Sequence, residues 1–272
     1  MEIKQCLFDK EKELDQLVAL QNKVYESRGI KFSRKGFLFW YVNNPFGRVI
    51  SFNAFDGEKM VSHQSFVPEV MLVEGRQVRC LRSMSVVTLP EYRGKGIFSL
   101  LTNKAVEEAR RQGYEFIYAI TNGNSYPAFI KHCGFSSITR LEVKVGLGNH
   151  IQEDGDKTYK RYWTEDSLRW RLSRRKYLSV ASSILGKHGR VTTYMGVCDP
   201  ELVSQMNLER GGRCGVRLYV GLGARLPWSY FNVPKFVKHS PFHLIFKDLT
   251  GGQLPPMTKD NVFYQLLDYD VA

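Results

Sequence analysis

Between Val86 and Phe98 the chain reads VVTLPEYRGKGIF: a β-branched run, a proline, two glycines and two cations, directly ahead of an apolar-periodic stretch. Residues of these types at this spacing make an anion cradle. A glycine-rich turn entering a helix leaves several backbone N–H groups free, and the helix dipole adds partial positive charge where they point. Gly94 and Gly96 permit positive φ and close backbone approach, while Arg93 and Lys95 bring full charges beside the turn. The alternative is an ordinary strand-to-helix turn whose Arg and Lys face water. The spacing matches neither G-x-x-x-x-G-K-[ST] nor G-x-G-x-x-G, which disfavours a nucleotide triphosphatase or a dinucleotide-binding fold.

The elements around this segment have to position it. Leu14, Leu17, Val18 and Leu20 form a helical stripe, and a second helix is expected after Ser33. RVISFNAF and KMVSHQSFV are β-rich runs joined at Asp56-Gly57-Glu58, a tight hairpin signal. A long strand is expected from Arg76 to Thr88, a helix up to Gly113, a buried strand at YEFIYAIT, a short helix ending at Gly134 and a further strand at RLEVKVGL. The order is therefore helix, helix, three antiparallel strands, helix, strand, helix, strand.

With 272 residues, 43% of them hydrophobic and 24% charged, the chain is read as globular, with one large domain or two smaller ones open. No apolar run approaches the ~20 residues of a membrane span, and the polar N-terminus resembles no leader, so a cytoplasmic protein without a transmembrane segment is expected. Five scattered cysteines give neither a disulfide framework nor a zinc cluster, and Pro241 interrupts the only i, i+4 histidine pair, so no metal is expected. A balance of 39 Lys+Arg against 27 Asp+Glu, +12 at pH 7, attracts anions: nucleic acid, acidic lipid or a phosphorylated small molecule.

V-x-x-P-x-x-R-G-K-G-I, from Val87 to Ile97, resembles the acyl-CoA pyrophosphate loop of the GNAT acyltransferase superfamily, R/Q-x-x-G-x-G/A. Arg93 and Gly96 fall in register, and Phe98 stands where Gly or Ala is usual. Asn124-Ser125-Tyr126 followed by Lys131-His132-Cys133-Gly134-Phe135 is loosely similar to the family's N-x-x-A…Y-x-K-x-G-F stretch. The resemblance implies an α+β fold with a central mixed, mostly antiparallel sheet flanked by helices, in which the strand before the loop bulges away from the next. It also implies acetyl-CoA or another acyl-CoA as co-substrate and no metal. The backbones of Val86, Val87 and Thr88 would hold pantetheine, and Gly94, Lys95, Gly96, Ile97 and Phe98, with Arg93, the pyrophosphate. Ile130 occupies the place of the family's acid tyrosine. Tyr126, one helical turn earlier, is the candidate acid, with a packing role as its alternative. His63 is the candidate base, with a satisfied strand histidine as its alternative. Asn124 either bonds the cofactor or caps the short helix.

Beyond a polar stretch at 149–158, Leu168-x-Trp170 echoes Leu38-x-Trp40, each followed at equal distance by a turn sequence. This suggests a tandem arrangement: residues 1–148 an acyl-CoA-binding domain, 149–158 a linker, and 159–272 a degenerate GNAT-like half that repeats no R-G-x-G and shapes the acceptor site. Arg169, Trp170 and Arg171, with Arg174, Arg175 and Lys176, are candidates to read an acidic acceptor, or form a solvated helix face. Resemblance to two-domain members associated with polysaccharide biosynthesis implies an amine acceptor on an amino sugar, phosphorylated or nucleotide-linked. The alternatives are a peptide or antibiotic N-acyltransferase, and a non-catalytic protein binding nucleic acid or another anion. The chain carries no recognisable DNA- or RNA-binding signature, so nucleic acid is not favoured.

Overall fold

A computed structural model describes residues 1–148, 151–173, 177–180, 182–188, 191–206, 215–233 and 241–269. The chain opens with β1 (Glu2–Gln5), α1 (Glu11–Tyr25) and the short α2 (Arg34–Phe37), which runs into a π-helical turn, Leu38–Val42, carrying Trp40. Ser33 caps α2 by accepting from Gly36 N–H. Then follow β2 (Ile50–Asp56), β3 (Lys59–Val73), β4 (Arg76–Thr88), α3 (Ile97–Arg111), β5 (Phe116–Thr121), α4 (Tyr126–Cys133), β6 (Ser136–Arg140) and β7 (Glu142–Leu147). The remainder comprises β8 (Gln152–Glu153), β9 (Tyr159–Arg161), α5 (Glu165–Leu172), β10 (Tyr177–Val180), β11 (Ser183–His188), β12 (Val191–Val197), α6 (Pro200–Gln205), β13 (Val216–Leu222), β14 (Ala224–Arg225), β15 (Phe231–Asn232), β16 (His243–Asp248) and β17 (Tyr264–Gln265).

Two sheets share one plan. In the first, β2, β3 and β4 run antiparallel, α3 crosses over, and β5 returns parallel to β4. In the second, β10, β11 and β12 run antiparallel, α6 crosses over, and β13 returns parallel to β12. Each sheet then takes its next strand from the other half of the chain. β16 lies antiparallel between β5 and β6, while β7 lies antiparallel against β13, with β15 beyond it. The polar stretch around 149–158 contributes as well, since Gln152–Glu153 pairs with Ala224–Arg225.

Alternation along the strands divides the core. Phe66, Leu81, Ile117 and Ala119 face α3 and α4 together with Phe129, Cys133 and Phe135. On the opposite face, α1 and the π-turn cover Val61 and Val67, whereas Cys80, Phe116 and Tyr118 meet Tyr159, Val220 and Tyr264 from beyond residue 148. The tryptophans of the sequence echo touch: Trp170 stacks on Phe39 at 4.4 Å and 7°, and meets Trp40 edge-on at 5.2 Å.

Candidate active site

The first two strands of the crossover unit separate where the glycine loop begins. Pairing of β4 with β5 covers Cys80–Phe116, Leu81–Ile117 and Arg82–Tyr118; beyond it β4 continues to Thr88 and β5 to Thr121 without partnering one another. The separation has a local cause. Between the pairs Ser65↔Met84 and His63↔Val87, the single residue Gln64 faces both Ser85 and Val86, and Ser85 takes φ +57°. That is a β-bulge with a non-glycine residue in the left-handed region, costly unless the surroundings hold it.

The surroundings do so through the carbonyls. Ser65 Oγ donates to Met84 O at 2.5 Å, Gln21 Nε2 to Ser85 O at 2.8 Å, Ser62 Oγ to Val87 O at 3.1 Å and Arg93 Nε to Thr88 O at 3.1 Å. Four acceptors of the bulged segment are thus occupied by protein side chains. Val86, Val87 and Thr88 lie in this segment, so the expected bulge is present. Gln21, Ser62 and Ser65 are the supports that sequence reading missed. Ser62-His63-Gln64-Ser65, a polar run inside a mostly apolar strand, was the available signal.

Past Thr88, the loop turns through Gly94 (φ +75°) and Gly96 (φ +72°) into α3. Gly96 is the helix N-cap and no side chain closes the first turn, so the leading N–H groups, including those of Ile97 and Phe98, have no side-chain cap. A Cβ built at either glycine meets nothing within 4 Å. The glycines are therefore required by backbone conformation and leave open space in front of the helix, the condition under which a phosphate can approach. Arg93 and Lys95 are exposed; Lys95 Nζ lies 5.0 Å from the Tyr92 ring centre. Phe98 does not obstruct the cradle, because its ring turns back onto Phe129 at 4.9 Å, edge to face. The equivalent place in the second sheet is different: Asp199 caps α6 by accepting from Glu201 N–H at 2.8 Å, which sets a carboxylate where an anion would sit.

Tyr126 is the first residue of α4, just beyond the free end of β5, and its N–H bonds Asn122 O at 3.1 Å. Its half-buried ring stacks on His243 of β16 at 4.2 Å and 25°. Ile130 is half-buried against the α3/α4 core. Asn124 does not cap α4, whose N-cap is Ser125 with no side-chain cap bond; Asn122 Oδ1 accepts from the N–H groups of Asn124 (2.9 Å) and Ser125 (3.1 Å) in the turn before the helix, and Asn124 itself is exposed.

His63 requires correction as a candidate base. It is 1% exposed on the α1 side of the sheet; Nδ1 donates to Asn53 Oδ1 at 2.6 Å and Nε2 bonds Tyr41 Oη at 3.0 Å. Burial pushes its pKa down to about 3. With both nitrogens engaged it has no site for an incoming amine's proton. Tyr41 Oη also bonds Ser65 Oγ at 2.8 Å, so His63 anchors the network that reaches the Met84 carbonyl.

The basic group on α5 separates as well. Arg169 is exposed and pairs with Glu165 one turn back, whereas Arg171 is buried, donating to Leu267 O (2.9 Å), Tyr269 O (3.1 Å) and Tyr177 Oη (3.1 Å). Trp170 is half-buried between Phe39 and Trp40. The three do not form one ligand-reading patch, because successive residues on a helix point in different directions; Arg174, Arg175 and Lys176 lie outside the described residues.

Residues 9–138 match the family described as Acetyltransferase (GNAT) domain. No curated protein matches the chain. Among solved structures, a probable N-acyltransferase of Enterococcus faecalis V583 superposes with a TM-score of 0.60 at 12% identity, over 91% of this chain and 72% of its own. A GCN5-related N-acetyltransferase of Kribbella flavida gives 0.57 at 13%, over 92% and 73%, and one from Anabaena variabilis 0.56 at 8%, over 92% and 74%. At these identities the likeness is one of fold, and it extends over both sheets. Residues 9–138 are thus similar to the acetyltransferase (GNAT) domain family, and the chain adopts a mixed α+β fold shared with these solved structures.

Proposed function

We propose that this protein transfers an acetyl or similar acyl group from acyl-CoA to a primary amine, with the split between β4 and β5 and the uncapped N-terminus of α3 forming the co-substrate site. The observation that carries this reading is the juxtaposition of the Ser85 bulge, which opens the sheet, with the Gly94–Gly96 turn, which leaves donors and space at the helix end. When bound, the acyl-CoA supplies an activated thioester carbonyl. The chain supplies position: backbone groups of Val86 to Thr88 for an extended amide-bearing arm, and the N–H groups of Gly94 to Phe98 with Arg93 for a pyrophosphate. An N–H directed at the carbonyl oxygen stabilises the charge that develops there. Tyr126, at the mouth of the split, is the group that protonates the departing sulfur, while the proton lost by the attacking amine passes to solvent water. The second sheet, whose corresponding helix is closed by Asp199, serves to wall the acceptor side in this reading.

For the acceptor, the reading is an amino sugar, phosphorylated or nucleotide-linked, supported by the net charge of +12. The buried thiols of Cys6, Cys80, Cys133 and Cys198 are free, consistent with a reducing cytoplasm, and no described helix is long and apolar enough to cross a membrane. Calorimetric titration tests the core of the proposal. Acetyl-CoA and CoA should bind and NADPH should not; absence of binding by either thioester or thiol overturns it. For the acceptor, amino-sugar nucleotides should accelerate CoA release, and failure of all of them removes that class.

A further inference from the structure

The closed end of the split holds an excess of buried positive charge. Arg82, the last β4 residue paired with β5, is 1% exposed, and its Nε donates to Glu69 Oε1 at 2.9 Å. Glu69, 3% exposed, also pairs with Arg161 and accepts from Tyr118 Oη. One carboxylate therefore serves two buried guanidinium groups. Arg82 Nη2, Arg161 Nε and the hydroxyl of Tyr264, a residue 2% exposed, have no hydrogen-bond partner. Tyr264 packs edge-on against Tyr118 at 5.9 Å, and its phenol lies in the field of Arg82 and Asp268.

Asp268 does not restore the balance. It is 4% exposed, its Oδ2 accepts from Gln265 N–H at 2.9 Å, and its Oδ1 has no partner. Burial raises its pKa to about 7 despite the neighbouring Arg161, so it is only partly ionised near neutrality. Trp40 covers the Arg82 guanidinium at 4.9 Å from its ring centre, shielding it from water on that side. Buried charges in proteins are paired, and buried donors find acceptors. Unpaired donors beside a surplus cation call for an anion, and an unpaired carboxylate oxygen in the same cluster calls for a donor.

Resting on the reading of the split as the acyl-CoA site, we propose that the acceptor is a small primary amine bearing a compact anionic group, carboxylate or phosphate. Arg82 Nη2 and the Tyr264 hydroxyl receive the anion, and Asp268 Oδ1 accepts from an N–H of the neutral amine that attacks. The cluster joins β3, β4, β5, β9 and the segment around β17, so the acceptor is held by both sheets. This deepens the choice among amines by requiring an anionic group on the same small molecule as the nitrogen.

Two matched pairs test it: glucosamine 6-phosphate against glucosamine, and β-alanine against β-alaninamide, with spermine as a polycationic control. Binding is followed without acetyl-CoA by melting temperature and tryptophan emission, and turnover with acetyl-CoA by CoA release. The anionic member of at least one pair should bind and be acylated at least tenfold better than its neutral partner; the responding pair identifies the anion as phosphate or carboxylate. Tyr264→Phe, which removes one hydroxyl, and Arg82→Gln, which leaves Glu69 paired with Arg161, should each shrink that preference while leaving the affinity for acetyl-CoA unchanged. Equal or better use of neutral amines or spermine, or no response to either anionic compound at millimolar concentration, overturns the proposal. Loss of acetyl-CoA binding in the unaltered protein counts against the acyl-CoA reading alone, since the binding arm needs no thioester.

Discussion

Gln21 of α1 donates its side-chain amide to the carbonyl of Ser85 across 2.8 Å, tying the first helix to a left-handed residue inside β4. Gln21 is 1% exposed, so the bond is made away from water. Gln21→Leu should cost about 1–3 kcal/mol in denaturant unfolding, the penalty of a buried carbonyl left without a donor. Release of the bulge should also weaken acetyl-CoA binding by roughly tenfold if the open conformer falls to about a tenth of the population. Unchanged affinity with reduced stability would show that the bulge holds without α1.

Substitution of Gly96 addresses the helix end itself. A side chain at φ +72° costs about 1–2 kcal/mol, and the space beyond the Cα is open, so Gly96→Trp should fold with a modest loss in melting temperature. The indole would stand in front of the α3 N–H groups, and calorimetry should detect no acetyl-CoA binding. Retained affinity in a folded variant would refute the assignment of the loop.

Tyr126→Phe keeps the ring that stacks on His243 and removes only the hydroxyl. Loss of a general acid predicts a fall in kcat of about 100-fold or more with the dissociation constant for acetyl-CoA unchanged. An unaltered kcat would leave Tyr126 as packing.

His63 governs acid stability instead of the pH–rate profile. Its folded pKa of about 3 lies below the ~6.5 of an unfolded histidine, so between those values only the unfolded chain takes up the proton. The His63 contribution is complete above pH ~6.5 and is lost as pH falls toward 3, with a slope of at most about 1.4 kcal/mol per pH unit. His63→Gln should flatten that slope in unfolding measurements from pH 4.5 to 7 and leave the acid limb of the pH–rate profile unchanged. Loss of the acid limb in the variant's rate profile would return His63 to the chemistry as a base.

The strand ending at Thr88, the Asp56-Gly57 turn, α3 with its stop at Gly113 and the short helix before Gly134 were all legible, because each has a local cause in periodicity, glycine placement or capping. The glycine loop was legible for the same reason. Non-local pairing was not. Nothing in HLIFKD indicates that it lies between β5 and β6, as a buried strand looks alike in either sheet. Nothing in the sequence marks Glu69, Arg82 and Arg161 as a group, and only tertiary contact reveals them as one buried cluster. The apparent basic patch on α5 failed for the complementary reason: neighbours in sequence, Arg169 and Arg171 turn to water and to the chain end respectively.

The exchange of β7 and β16 bears on how the protein is made. Thr121 and His243 meet across 122 positions of sequence, so on the ribosome the first sheet waits, its β5 edge unpaired, until most of the chain has been synthesised. High contact order of this kind slows folding and prolongs the exposure of a strand edge to other chains. Until β16 emerges, that edge of β5 stays open.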